Sequence, residues 1–225
     1  MTQGNPPRDQ ATELVGADEE TEAAVVGHVT AHLGPVDWVY HESLPDPVHV
    51  DLLMVGPTEQ REYHSLVTCG MSTRAMTVPA GTASSAPFAE LVLHLPPDWP
   101  LTEDAFADEE HFWPLRWLMF LARLPHDDET WLDTWHTVPN GDPPAPFADT
   151  TALSALMLTP PMLAPAEFAL LTTPAGKEIA FHEVLPLHAD ERALKLAEGT
   201  DALIDRLDAG GVTPIVDPAR PSCVT

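Results

Sequence analysis

The sequence is poor in positive charge. Lysine and arginine together number 10 against 35 aspartate and glutamate residues, and the lysines are Lys177 and Lys195 alone. The formal net charge of −25 at pH 7 repels phosphate backbones and anionic lipid surfaces, so we expect no nucleic acid and no membrane among the partners. The same charge would speed the encounter with a basic protein, although it also serves solubility without any partner.

Cysteine and long apolar runs are scarce as well. The two cysteines, Cys69 and Cys223, are too few for a disulfide framework and suit a reducing compartment. No segment approaches the roughly 18 uninterrupted apolar residues that indicate a membrane span. The first residues of the chain contain no apolar stretch, so we expect no secretory signal and a cytoplasmic location.

Familiar catalytic motifs are also missing. The sequence contains no dinucleotide fingerprint, no P-loop, no nucleophile elbow and no metalloprotease helix motif at the required spacing. We therefore expect no catalytic residue, no cofactor and no metal ligand.

The sequence contains enough apolar residues to form the core of one domain of ordinary size. Hydrophobic residues make up 44% of the 225 positions, and their spacing alternates between helical and strand periods. The predicted order is helix, strands, helix, strands, helix, which is typical of a single-domain α+β fold with a mixed or antiparallel sheet flanked by helices. We expect a flexible acidic arm at residues 1–17, the domain at residues 18–217, and a tail at residues 218–225 within a loosely structured end that starts at Gly210.

The predicted elements can be placed by their apolar periodicity and by their turn residues. Helices are predicted over residues 19–33, 103–124 and 190–207. We expect Pro114 in the first turn of the second piece of the middle helix, and Gly199 at a bend or break in the last helix. Strands are predicted over residues 36–42, 48–55, 62–68, 88–95, 153–158, 167–171 and 179–187, the second of them buried on both faces and antiparallel to the third.

Histidine and aspartate on the predicted strands offer one weak constellation for chemistry. His49 and Asp51 are two residues apart, so their side chains point to the same face of a strand, and His64 and His94 on other strands are further candidates. A metal site needs three or four such ligands to converge. Eleven histidines will also fall on strands by chance, so the pattern allows both interpretations.

Cys69 is a second candidate, as a nucleophile assisted by a histidine. No predicted helix N-terminus and few cations lie nearby to lower its pKa, so a small buried hydrophobic side chain is the competing interpretation.

A tryptophan-rich segment is the third candidate. The segment from Trp113 to Asp142 contains four of the six tryptophans and ends in the polar run 136–141. Trp135, His136 and Asn140 suit a binding cleft, since aromatic side chains with polar neighbours are frequent at interfaces. The competing interpretation is that the tryptophans cover the sheet and that residues 139–141 form a simple turn.

Several short runs, taken in order, resemble suppressor of fused domain proteins. Their order and spacing match the bacterial members over roughly residues 30–217. The runs are HVDLL at 49–53, LVTCGMS at 66–72, FAELVL at 88–93 with LPPDW at 95–99, WPLRW at 113–117, LAR at 121–123, HTVPNG at 136–141 and LPL at 185–187.

This resemblance implies a compact α+β domain without established catalysis. In animal relatives the domain is half of a two-domain clamp that captures a transcription-factor peptide partly by strand addition; we expect no second domain here, so that clamp does not transfer. Cys69 stands where bacterial relatives more usually have serine, which argues against a required hydroxyl at this position. Bacterial relatives have been proposed as immunity proteins that neutralise a toxin.

We therefore expect a non-catalytic protein-binding domain whose partner is a protein such as a basic toxin. The alternatives are a metal-dependent or Cys/His hydrolase that uses the face of His49, Asp51 and His64, and a small-molecule sensor. The candidate binding residues are Asp51, His64, Ser72, Trp135, His136 and Asn140.

Overall fold

The computed structural model describes residues 8–41, 48–82 and 86–224, and this part of the chain forms one mixed sheet with helices on both faces. The α+β class predicted from the sequence is confirmed. The helices are α1 (Arg8–His32), α2 (Glu109–Asp127), α3 (Ala189–Glu198) and α4 (Thr200–Ala209). The strands are β1 (Trp38–Tyr40), β2 (Asp51–Val55), β3 (His64–Cys69), β4 (Ala89–Leu95), β5 (Thr137–Pro139), β6 (Leu153–Thr159), β7 (Leu170–Thr172) and β8 (Glu178–His188).

The sheet has the strand order β1-β2-β3-β4-β8-β6-β5, and β7 pairs with β8 beside this path. The pairing of β4 with β8 is parallel, whereas the other pairings between the named strands are antiparallel. The predicted antiparallel pairing of the second and third strands is therefore confirmed as β2 with β3. In this order β1 and β5 are the two edge strands, and edges are where a sheet can accept a further strand.

Strand β2 is buried on both faces, as its near-continuous apolar sequence predicted. Leu52 and Met54 belong to a core that contains the apolar face of α2. Leu53 and Val55 point the other way, into a core that contains Val25 of α1. This alternation places one helix on each side of the same strand.

Pro114 lies further from the start of its helix than the sequence predicted. The Asp108 carboxylate accepts a hydrogen bond from the Glu110 N–H, so the helix begins at Glu109. Pro114 consequently lies in the second turn, where its missing N–H costs a helical hydrogen bond. The helix continues through Pro114 because its neighbours Trp113 and Leu115 are completely buried in the core.

The helix at the start of the chain is longer than predicted, whereas the last helix is divided as predicted. Helix α1 begins at Arg8, so the arm predicted over residues 1–17 is helical from Arg8 onward, in agreement with its Arg, Ala, Glu and Leu content. At the other end, Gly199 has a φ of 99° and separates α3 from α4. The expected break at Gly199 is confirmed.

Two short segments differ from the sequence prediction. Residues Ala166–Ala169 form a 3-10 helix, so that only Leu170 and Leu171 of the strand predicted over residues 167–171 pair with β8. Strand β5 is missing from the predicted elements, whereas the turn predicted over residues 139–141 agrees with the bend at Asn140 and the turn at Gly141 that follow β5. Both segments are too short for a periodic pattern to be read, and their pairing partners are far away in sequence. Pro45, Asp46 and Pro47 also predict a turn between the first two strands, and this turn lies outside the described residues.

Candidate functional site

An aromatic groove runs along the edge strand β1. Its cavity measures about 530 Å³ and lies between β1 and the segment that carries Leu101 and Phe106. The Phe106 ring lies 6.1 Å from Trp38 and 5.8 Å from Tyr40, measured between ring centroids. These side chains are all partly exposed, so the groove offers apolar contact area to a ligand.

The surroundings of this groove add polar recognition elements. The groove is also lined by the acidic Glu103 and by His41, which follows β1. Among the described residues, β1 pairs with β2 alone, so its other side is open to a further strand. An open strand edge beside aromatic pockets is the arrangement that binds extended peptides, because the backbone supplies affinity and the pockets supply selectivity.

The opposite edge of the sheet carries the cleft predicted around Trp135 and His136. This cavity measures about 360 Å³, and Trp131 and Lys195 contribute to its walls. Trp135 and His136 line it together. Asn140 is absent from its walls; the Asn140 amide donates to the carbonyls of Ala145 and Pro146 and so holds the following turn.

The β5 edge next to this cleft is less suited to strand addition than the β1 edge. Both Trp135 and His136 bond Leu158 of β6, since Trp135 N–H donates to the Leu158 carbonyl and Leu158 N–H donates to the His136 carbonyl. Two residues opposite one make a bulge, and Trp135 adopts a φ of 71° there. Strand β5 also ends in Pro139, which has no N–H. Bulges and prolines both protect a sheet edge from further pairing.

Asp51 and His64 lie at opposite ends of the β2–β3 strand pair. Asp51 is opposite Cys69, whereas His64 lies at the far end, beside Ser65, which is opposite Val55. His64 bonds the Pro97 carbonyl there. The predicted face of His49, Asp51 and His64 therefore does not assemble, because the strand register separates its members.

Asp51 instead meets two histidines from its own edge. Asp51 Oδ2 lies 2.9 Å from His41 Nδ1, and Asp51 Oδ1 lies 2.9 Å from His49 Nε2. His41 was not singled out in the sequence because it follows a short strand, and only the pairing of β1 with β2 brings it to Asp51.

Ser72 is buried, away from any surface that a partner could reach. Its hydroxyl and its N–H both donate to the Glu90 carboxylate, which also accepts from the Thr68 hydroxyl and the Gly70 N–H. Burial raises the pKa of Glu90 to about 7, although these four hydrogen bonds oppose the shift. Gly70 is required at this point, since its φ is +123° and a Cβ would meet the His49 carbonyl oxygen. Ser72 thus orders the turn after β3.

Ser65, His94 and Glu183 have the connectivity of a hydrolase triad. Ser65 Oγ lies 3.0 Å from His94 Nδ1, and His94 Nε2 lies 3.1 Å from Glu183 Oε2. All three side chains are completely buried, whereas a nucleophile must reach its substrate. No local sequence pattern indicates this side-chain arrangement, because Ser65, His94 and Glu183 lie on three different strands.

Cys69 does not have the environment of a nucleophile. Its pKa is raised by burial first and by the nearby carboxylate of Glu90 second, which keeps the thiol protonated. The thiol lies in the core beneath α1 and contacts the Glu22 carbonyl. The interpretation of Cys69 as a small buried hydrophobic residue agrees with this position.

The C-terminal segment is held to the domain by an ion pair. The Arg220 guanidinium donates to both carboxylate oxygens of Glu191 and to the Pro186 carbonyl. Burial would raise the pKa of Glu191, but the bonds from Arg220 and from the N–H groups of His188 and Cys223 lower it to about 2. The segment predicted to be loosely structured is therefore tied to α3 as far as Cys223.

These features define the chain as a single-domain α+β protein with a mixed sheet, one open sheet edge and no exposed catalytic constellation among the described residues. The family model for the suppressor of fused protein (SUFU) matches residues 46–221. The chain belongs to the suppressor of fused family. None of the curated proteins matches the chain.

Solved structures support the same fold at low sequence identity. A protein described as a SUFU homolog from Neisseria gonorrhoeae is 16% identical with a TM-score of 0.64, and the match covers 92% of this chain and 98% of that one. The chain from a Sufu–Fu complex is 15% identical with a TM-score of 0.61, over 90% of this chain and 92% of that one. Drosophila Suppressor of Fused is 15% identical with a TM-score of 0.52, over 79% of this chain and 43% of that one.

Within the described residues, no helix combines the length and the apolar character that crossing a bilayer requires.

Proposed function

We propose that this chain is a non-catalytic protein-binding domain that receives an extended segment of its partner in the groove along β1. The observation that carries the proposal is the coincidence of an open strand edge with the partly exposed rings of Trp38, Tyr40 and Phe106. A partner strand paired with β1 would place alternate side chains on these rings.

The negative charge of the chain favours a basic protein as the partner. The net charge of −25 attracts a basic protein over a distance set by the ionic strength, and Glu103 presents a negative group within the groove itself. The favoured ligand is therefore a segment that combines apolar side chains with lysine or arginine. Faster association at low salt is the expected consequence.

Membership of the family supports a protein partner, since a relative with the same fold was solved in a Sufu–Fu complex. Within this role, the specific form that we propose is an immunity protein, cytoplasmic in location, that neutralises a basic toxin. The acidic surface and the buried position of the Ser65–His94–Glu183 chain favour binding over hydrolysis.

The experiment begins with candidate partners encoded by the adjacent genes. Each gene product is co-expressed with the chain, and its dissociation constant is measured by titration calorimetry at low salt. For a toxin, protection of cells that express the chain is scored in parallel. Failure to bind any adjacent product, together with failure to protect, would argue against the immunity role.

Two matched pairs of variants then test the groove. Phe106→Ala should weaken binding about tenfold or more, because aromatic anchors carry most of the energy of an interface. Phe120→Ala, at a 44% exposed phenylalanine on α2 outside the groove, should change the affinity less than about twofold by the same reasoning. Glu103→Lys should slow association, whereas Glu198→Lys at an exposed position of α3 should slow it less. Equal effects within each pair would contradict the groove.

A further inference from the structure

His41, His49 and Asp51 form a compact cluster at the end of the edge strand. Their ligand atoms all lie within 4.8 Å of one another. His41 directly follows β1, while His49 and Asp51 lead into β2. The three side chains therefore come from both members of the β1–β2 pair.

Only one of the two Asp51 carboxylate oxygens has a hydrogen bond. Asp51 Oδ2 is hydrogen-bonded to His41 Nδ1 at 2.9 Å. Asp51 Oδ1 is shielded from solvent and has no hydrogen bond within the described structure, although His49 Nε2 lies 2.9 Å away. A shielded carboxylate oxygen without a donor is unfavourable, and a coordinated cation would satisfy it.

We propose that His41, His49 and Asp51 bind one divalent transition-metal ion of the zinc type. Two imidazole nitrogens and one carboxylate oxygen are ligands that Zn²⁺ accepts, whereas Mg²⁺ and Ca²⁺ prefer oxygen alone. Bond lengths of about 2.1 Å imply ligand atoms about 3.3 Å apart in a tetrahedral site. The His41 and His49 side chains are 72% and 50% exposed, so both can rotate to close the remaining gap.

The position of the ion gives it two consequences. It joins the end of β1 to the start of β2 and thereby stabilises the edge strand. Because His41 also lines the groove, the ion lies at one end of the groove, and its fourth coordination position is open to solvent or to a side chain of a partner. The metal site stands independently of the proposed protein-binding role, since the isolated chain should bind the ion.

The test uses full-length protein prepared without a histidine tag and stripped with a chelator. Titration with Zn²⁺ followed by calorimetry should show one ion per chain. At a free Zn²⁺ concentration a hundredfold above Kd, the melting temperature should rise by about 5–10 °C. Mg²⁺ at the same concentration should produce a much smaller rise.

Three variants locate the ion. The double variant His41→Ala/His49→Ala should lose stoichiometric binding, and the nearly isosteric Asp51→Asn should weaken it more than about tenfold, since even outer partners of a metal contribute that much. The control His64→Ala/His136→Ala removes two histidines elsewhere and should bind as the wild type does. Circular dichroism checks that each variant is folded. Equal binding by the double variant and the control, or no stoichiometric binding by the wild type, would overturn the proposal.

Discussion

The His94 Nε2 atom lies 3.1 Å from the Glu183 Oε2 atom, and neither side chain has any solvent exposure. The contact joins β4 to β8 near their parallel pairing, and Ser65 extends it to β3. Glu183 Oε2 also accepts hydrogen bonds from the N–H groups of Met162 and Leu163. This polar chain therefore fastens the centre of the sheet and the loop after β6.

Removing the Glu183 carboxylate should destabilise the whole domain. Glu183→Ala leaves His94 and two backbone N–H groups without their acceptor, and we expect a loss of about 3 kcal/mol in the free energy of unfolding. The exposed Glu178 on the same strand is the control, and Glu178→Ala should stay within about 0.5 kcal/mol of wild type. Urea denaturation followed by fluorescence measures both. Similar losses would show that Glu183 has no special role.

Ser65 should be inert as a nucleophile despite its histidine partner. Because Ser65 is completely buried, a fluorophosphonate probe should not label the native protein, as judged by intact mass. Ser65→Ala should reduce stability by about 2 kcal/mol through the lost hydrogen bonds to His94 and Arg61. Labelling that disappears in Ser65→Ala would instead revive the hydrolase hypothesis.

Glu90 should make stability fall with rising pH. Its pKa is raised by burial to about 7 from 4.5, so the folded state holds a proton that the unfolded state has released between these values. Stability attributable to Glu90 therefore declines from pH 4.5 to about 7 and is constant above that, by about 3 kcal/mol in total. Glu90→Gln removes this decline. The measurement is the difference in unfolding free energy between wild type and variant from pH 4.5 to 8, which cancels the histidines common to both; a constant difference would refute the shift.

Glu191 should act in the opposite direction. Its pKa is held at about 2, below the ordinary value of 4.5, by Arg220 and two backbone N–H groups that outweigh burial. The stabilisation is present above pH 4.5 and is lost as the pH falls toward 2. Arg220→Ala should cost about 3 kcal/mol at pH 7 and flatten this acid-side loss. Thermal unfolding from pH 2.5 to 7 tests both effects, and an unchanged acid profile in the variant would contradict them.

Much of the fold could be predicted because the spacing of apolar residues in a long segment indicates which of its faces are buried. Consecutive apolar residues in β2 predicted that both of its faces are buried. The break at Gly199 follows from the backbone freedom of glycine. Strand β5 and the 3-10 helix before β7 could not be predicted, since three or four residues carry no periodicity and their pairing depends on distant strands.

The candidate site was harder to predict for a related reason. The spacing of His49 and Asp51 could be read along one strand. The third member of the cluster depends on the pairing register of the strands, which brings His41 to Asp51 and places His64 at the far end of β3. The Phe106 ring likewise reaches β1 only through tertiary packing. Residues that meet across strands leave no local pattern in the sequence.

Strand addition at β1 can be measured at the backbone by hydrogen–deuterium exchange. The exchange of the amides of Trp38–Tyr40 is compared between the free chain and its complex with the partner identified among adjacent gene products, with the β5 amides as the internal control. We expect the β1 amides to become strongly protected on binding and the amides of Thr137 and Val138 to exchange at an unchanged rate. Protection confined to β5, or no change at β1 in a saturated complex, would contradict strand addition at β1.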